Sequence, residues 1–66
     1  DWVSVDDRLP ELKDEVLIYC KREYSEKKEV IIGFLESYGF CSVRMREDEI
    51  LTVTHWKSIP EPPYGF

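Results

Sequence analysis

EVLIYCKREYSEKKEVIIGFLE, residues 15–36, holds two apolar runs joined by a short polar turn. In the first run Val16, Ile18 and Cys20 alternate with Leu17 and Tyr19. Period-two alternation of this kind is the mark of a strand, 15–24. Apolar residues on both faces predict a central strand, or one covered on both sides. In the second run, 29–36, Val30, Ile32 and Phe34 alternate with Ile31, Gly33 and Leu35. β-branched and aromatic residues fit a pleated surface. The polar connection Ser25, Glu26, Lys27 and Lys28 makes the pair a β-hairpin. Gly33 inside the second strand marks a bulge, a bend or the close approach of another group.

Outward from the hairpin the pattern continues as β structure. Phe40 to Met45 reads as a short third strand and 50–57, ILTVTHWK, as a fourth. Arg46 to Glu49 is too charged for a core and is expected to be a loop. The N-terminal arm 1–13, DWVSVDDRLPELK, offers Trp2, Val3 and Val5 as apolar anchors. Asp6, Asp7 and Pro10 favour turns, leaving room for at most one helical turn near residues 6–14. The closing SIPEPPYGF cannot complete ladder hydrogen bonds at its prolines and favours polyproline II. The expected fold is all-β or β-rich: a small four-stranded antiparallel sheet or SH3-like barrel, with the N- and C-terminal arms packed together. Trp2, and Ile59 with the proline tail, are expected to cover the sheet. If Trp2 and Trp56 are both core, Trp→Ala at either costs about 3–5 kcal/mol.

Sixty-six residues make a single domain, 1–66. A chain this short buries only about 60% of the surface its unfolded form exposes. The 14% aromatic content therefore matters, because large rings bury much area per residue. The formal net charge of -5 argues against nucleic acid, whose binders neutralise phosphates with a basic face. It also disfavours anionic membrane surfaces. No apolar run approaches the roughly 20 residues that span a bilayer. No leader is visible, and the chain starts at Asp1. Cys20 and Cys41 are too few for a disulfide scaffold, so a cytoplasmic setting is expected.

The residues that carry chemistry form no catalytic constellation. His55, the single histidine, alternates with Trp56 and faces away from whatever that ring buries. No partner spacing supports it as a general base. Cys20 and Cys41 lack the close pairing of metal ligands and read as free thiols. Asp6, Asp7, Glu11, Asp14 and Glu15, and the run Glu47, Asp48 and Glu49, lack the spacing of a calcium loop and read as solvated. Lys21, Arg22, Lys27 and Lys28 flank the hairpin turn beside Tyr19 and Tyr24, a cluster that could contact phosphate or a nucleotide, but no glycine-rich phosphate loop accompanies it and charge guarding an exposed hairpin is the simpler reading. Pro60, Pro62 and Pro63 have P-x-x-P spacing, but follow Trp56 and Ile59 so closely that packing on the domain is the simpler reading. No metal and no cofactor is expected.

Two motifs at opposite ends carry a resemblance. Trp2-Val3-Ser4-Val5-Asp6-Asp7-Arg8-Leu9-Pro10-Glu11 is similar to a W-[IV]-S-V-x-x-R-L-P-E opening. Val53-Thr54-His55-Trp56-Lys57-Ser58-Ile59-Pro60-Glu61-Pro62-Pro63 is similar to a V-T-H-W-x-P-L-P-x-P-P closing, departing at Lys57-Ser58-Ile59, where Met-Pro-Leu is common. The V-L-[IV]-Y strand at Val16 to Tyr19 also fits. Together they resemble domain-of-unknown-function family 551, small proteins of phages, prophages and gut bacteria. The resemblance implies a phage or mobile-element accessory setting and no activity, so no functional residue is carried over.

The sequence thus predicts a non-enzymatic, protein-binding module, with Arg8, His55, Trp56 and Trp2 as candidate binding residues. The alternative is a nucleotide-like small ligand held by Trp, Arg and His at an oligomer interface. A third, weaker reading is an enzyme that uses His55 with an acid. A protein partner is expected, without nucleic acid or membrane, and a homo-oligomer is compatible with the size. Side-by-side exposure of Arg8 and His55 would favour a site; burial of either in hydrogen bonds would make the motif architecture.

Overall fold

The computed structural model describes residues 1–45 and 49–60. Five strands form one antiparallel sheet: β1 (Val3–Ser4), β2 (Val16–Arg22), β3 (Lys28–Glu36), β4 (Gly39–Cys41) and β5 (Leu51–Ser58), in the order β1-β5-β2-β3-β4. The fifth strand beyond the four expected is the two-residue β1, supplied by the N-terminal arm. It pairs Val3 with Trp56 and Ser4 with His55. No helix is present among the described residues; the arm makes only a tight turn, in which the Asp7 and Arg8 amides both donate to the Ser4 carbonyl.

The expected central hairpin is present, with Ile18 opposite Ile31 and Tyr19 opposite Val30. One face of β2 places Val16, Ile18 and Cys20 in the core, with Ile31 and Trp56; Val3, Val5, Phe40, Leu51 and Val53 pack around them. Leu51 and Val53 reach this face only because β5 is bulged. Tyr19 pairs with His55, but Cys20 pairs with Val53, so Thr54 has no partner on β2. An extra residue shifts the pleat by one. Trp56 therefore faces the core on one side of the bulge, and Val53 and Leu51 face it on the other. The Thr54 carbonyl is used by the arm, accepting from the Val5 amide at 3.0 Å.

Gly33 is a site of close approach. A Cβ there would lie 2.7 Å from the Cys41 carbonyl oxygen and 2.7 Å from Ile18 Cδ1. The third expected strand, Phe40 to Met45, ends early at Cys41 because the chain turns: the Met45 amide donates to the Ser42 carbonyl. The buried Ser42 hydroxyl donates to the Ile32 carbonyl at 2.7 Å, satisfying an acceptor on the outer edge of β3.

The arm closes the core face. It leaves β1 at one edge, passes Trp56, buries Pro10, and ends against β3, where Leu12 bridges Leu35 and the Lys13 amide donates to the Leu35 carbonyl at 2.8 Å. Lys13 takes a positive φ of 69° to complete this turn. Among the described residues no strand or helix lies over the other face, so β2 is central yet covered on one side alone.

Candidate functional site

Strand parity sends a second set of side chains to the open face: Leu17, Tyr19 and Lys21 from β2, Lys28, Val30 and Ile32 from β3, and His55 and Lys57 from β5. Trp2 joins them from the residue before β1. The Tyr19 ring stands between Trp2, 6.2 Å away between centroids, and His55, 6.4 Å away, both tilted. Trp2, Tyr19, Val30 and His55 line a hollow of about 360 Å³ whose wall is almost entirely carbon. Trp2 is 41% exposed, Val30 50% and Ile32 47%. They flank Tyr19 of the central strand, Trp2 from the β1 side and Val30 and Ile32 from β3, and contiguous apolar patches of this kind mark interaction surfaces.

Cations frame the hollow. Lys57 Nζ lies 6.0 Å from the Trp2 ring centroid and Lys28 Nζ 5.9 Å from that of Tyr19. Ammonium groups at this range are held by the ring quadrupole while their stems cover apolar surface. A second hollow, about 240 Å³, continues past Tyr19 between Lys21, Lys28, Thr52 and Thr54.

The four residues singled out from sequence fall on two sides of the sheet. Trp2 and His55 meet around Tyr19 on the open face. Trp56 is buried on the core side, 8% exposed, and its Nε1 donates to the Arg8 carbonyl at 2.8 Å. The Arg8 guanidinium lies 5.7 Å from the same ring. Arg8 and Trp56 thus fasten the arm over the core, whereas His55 is turned away, its Nδ1 within 3.0 Å of Thr54 Oγ1. Trp2 is not a core residue. Val30 and Lys57 escape the sequence reading as site residues, and Tyr19 and Lys28 enter it only as part of the charged hairpin turn, although strand parity places all four opposite the core positions.

The basic cluster at the hairpin also divides. Arg22 turns to the core side, where Nε meets Glu29 Oε2 at 3.0 Å and Nη1 meets Glu49 Oε1 at 2.8 Å and the Arg44 carbonyl at 3.0 Å. The hydrogen bond to Glu29 is the main reason its pKa rises further above the ordinary value. This guanidinium is a structural clamp between β2, β3 and the chain entering β5. Lys21 and Lys28 go to the open face.

Both cysteines are free. Burial, then the Glu29 charge, pushes the Cys20 thiol up against an opposing pull from Arg22, which is the reverse of what a nucleophile needs. Among the described residues no three His, Cys, Asp or Glu side chains gather as a cation site, and no helix is long and apolar enough to cross a membrane. The Glu47–Asp48 part of the second acidic run, and Pro62 and Pro63, lie outside the described residues.

Neither the curated proteins nor the solved structures contain a match to this chain. The profile of one family, described as "Protein of unknown function (DUF551)", matches residues 1–64. That span includes the arm that closes the core, the central hairpin and the strand bearing His55 and Trp56, and by it this chain belongs to the DUF551 family.

Proposed function

We propose that this domain is a non-catalytic binding module and that its open sheet face receives a protein partner. The observation that carries this reading is the exposed group of Trp2, Val30 and Ile32 around Tyr19, left uncovered by the arm. The hollow between Trp2, Tyr19, Val30 and His55 is sized for one large apolar side chain. Interfaces concentrate their energy in such anchor pockets, with Trp and Tyr prominent among the contributors. The exposed aliphatic strip of Val30 and Ile32, with Leu17 beside it, suits a polypeptide better than a ligand that must hydrogen-bond along its edges. The likeness to phage and prophage proteins suggests an accessory role inside a bacterial cell.

A second reading follows from the same hollow. Its volume falls in the lower part of the range for small-ligand pockets, about 300–1,000 Å³, and it is complete within one chain. A planar ligand could stack on Tyr19 between Trp2 and His55.

The test is affinity capture from bacterial lysate with the tagged domain, read by mass spectrometry for proteins and metabolites. Wild type is compared with Tyr19→Ser and Val30→Ser, whose fold is checked by circular dichroism. One protein retained by wild type and reduced about 30-fold or more by Tyr19→Ser supports the binding-module reading. Retention by both variants places the contact elsewhere and refutes it. A metabolite retained without a protein moves the assignment to the small-ligand reading.

A further inference from the structure

The distribution of charge over the open face says what kind of partner segment it fits. The chain carries fourteen acidic and nine basic residues. On random placement, carboxylates would outnumber cations on any face. On the open face of the β1-β5-β2-β3 ladders the reverse holds. The paired positions there are Ser4, Leu17, Tyr19, Lys21, Lys28, Val30, Ile32, Thr52, His55 and Lys57, and none is Asp or Glu. Glu15, Glu23 and Glu36 share the parity but lie outside this region: Glu15 before β2, Glu23 in the turn after it, and Glu36 beyond the end of the β2–β3 ladder. Glu29, within the ladder, points to the core side and is held by Arg22.

We infer that the open face binds an acidic, extended polypeptide segment, with an apolar anchor in the Trp2–Tyr19–Val30–His55 hollow and carboxylates on Lys28, Lys57 and Lys21. This rests on the binding-module reading and specifies its partner. The lysines lie on both sides, along the strands, of the His55–Tyr19–Val30 row: Lys57, near Trp2, pairs with Leu17 on one side, and Lys21 pairs with Lys28, which reaches Tyr19, on the other. A segment crossing the hollow in either direction meets a cation on entering and on leaving. Lys21 and Lys28 are a like-charged cross-strand pair, and a carboxylate bound beside them offsets that repulsion. The remaining acidic surface then acts against wrong registers, since it repels an acidic segment that strays from the lysines. A nucleic acid strand would find the same cations and a stacking surface at Trp2 and Tyr19, but the Leu17, Val30 and Ile32 strip beside them suits apolar side chains rather than bases.

The experiment uses three defined probes against the nitrogen-15-labelled domain, followed by amide chemical shifts. Two are short synthetic peptides with identical Trp and Leu anchors, one spaced by Glu and the other by Lys; the third is oligothymidylate. The Glu-spaced peptide is expected to move the amides of Tyr19, Val30 and His55 and to bind at least tenfold tighter than the Lys-spaced one. Raising salt to about 0.15 M narrows the gap. The Lys28→Glu/Lys57→Glu double variant, with its spectrum showing a retained fold, is expected to reverse the preference. Equal binding of both peptides overturns the acidic-partner inference and leaves the binding face standing. Binding of oligothymidylate alone overturns it in favour of nucleic acid. No shift at the face with any probe counts against the inference and against the face as a binding surface.

Discussion

Replacing Gly33 by Ala tests the packing that holds β4 on the sheet. In an exposed strand such a change is neutral or stabilising by about 0.4–1 kcal/mol, because Ala restricts the unfolded chain. Here the new methyl would sit 2.7 Å from Ile18 Cδ1 and 2.7 Å from the Cys41 carbonyl oxygen. The Ile18 contact is with a side-chain terminus, but that terminus belongs to a fully buried residue with no free rotamer space. The Cys41 contact is with backbone, so relief requires the short β4 ladder to move. Overpacking of this kind costs about 1–3 kcal/mol. Setting the unfolded-state gain against it leaves a net loss of about 1–2 kcal/mol. At about 4–8 °C per kcal/mol for a domain of this size, Tm should fall by roughly 5–15 °C. Ile18→Val removes the clashing Cδ1 and separates the two contacts. In a thermal-melt cycle, Gly33→Ala should cost less in the Ile18→Val background than in wild type. The residual cost reports the carbonyl contact. A rise in Tm for Gly33→Ala alone would refute the close approach of β4 to β3.

The two tryptophans should behave differently. Trp56→Ala should cost about 3–5 kcal/mol in chemical denaturation, and Trp2→Ala about 1 kcal/mol, since only the first ring is buried and hydrogen-bonded to the arm. Disulfide exchange with a chromogenic reagent should label Cys41 in the native protein and Cys20 only on unfolding. Because the folded-state pKa of Cys20 is raised, its contribution to stability is fully present below the ordinary thiol value of 9.0 and is lost as pH rises from there through the higher folded-state value. The Tm of wild type should therefore fall above that pH more steeply than that of Cys20→Ala. Arg22→Gln should lower Tm and loosen the hairpin end of the sheet, seen as faster amide exchange at Lys21 and Thr52, because it frees Glu29 and Glu49 of one shared guanidinium.

Much of the fold is legible in strand parity. The alternation in 15–36 specifies the hairpin and its two opposed faces, and that in 50–57 the turn of His55 away from Trp56. Two features escape that reading for physical reasons. Simple alternation from Trp56 would put Val53 on the His55 face, and only the bulge at Thr54 returns it to the core. A bulge depends on the partner strand and leaves no fixed mark in a sequence rich in β-branched residues. The second is the route of the arm. Arg8, Leu9 and Pro10 look like a surface turn, yet the Arg8 carbonyl and Pro10 roof the core. Because both faces of β2 are apolar, the residues alone do not say which is roofed. Once the arm covers the Trp56 side, Tyr19 and Trp2 are left facing outward. The split of Lys21 from Arg22, adjacent in sequence and opposite in space, follows from the same parity and separates a structural clamp from the rim of the open face.

The central claim is that the open face is where a partner binds, and site-specific photo-crosslinking in bacterial cells tests it most directly. One variant carries the photoreactive residue at Val30, on the open face. The control carries it at Val43, more exposed still but beyond β4. A discrete adduct from Val30 and none from Val43 is the predicted result. A discrete adduct from Val43 with none from Val30 would contradict the claim.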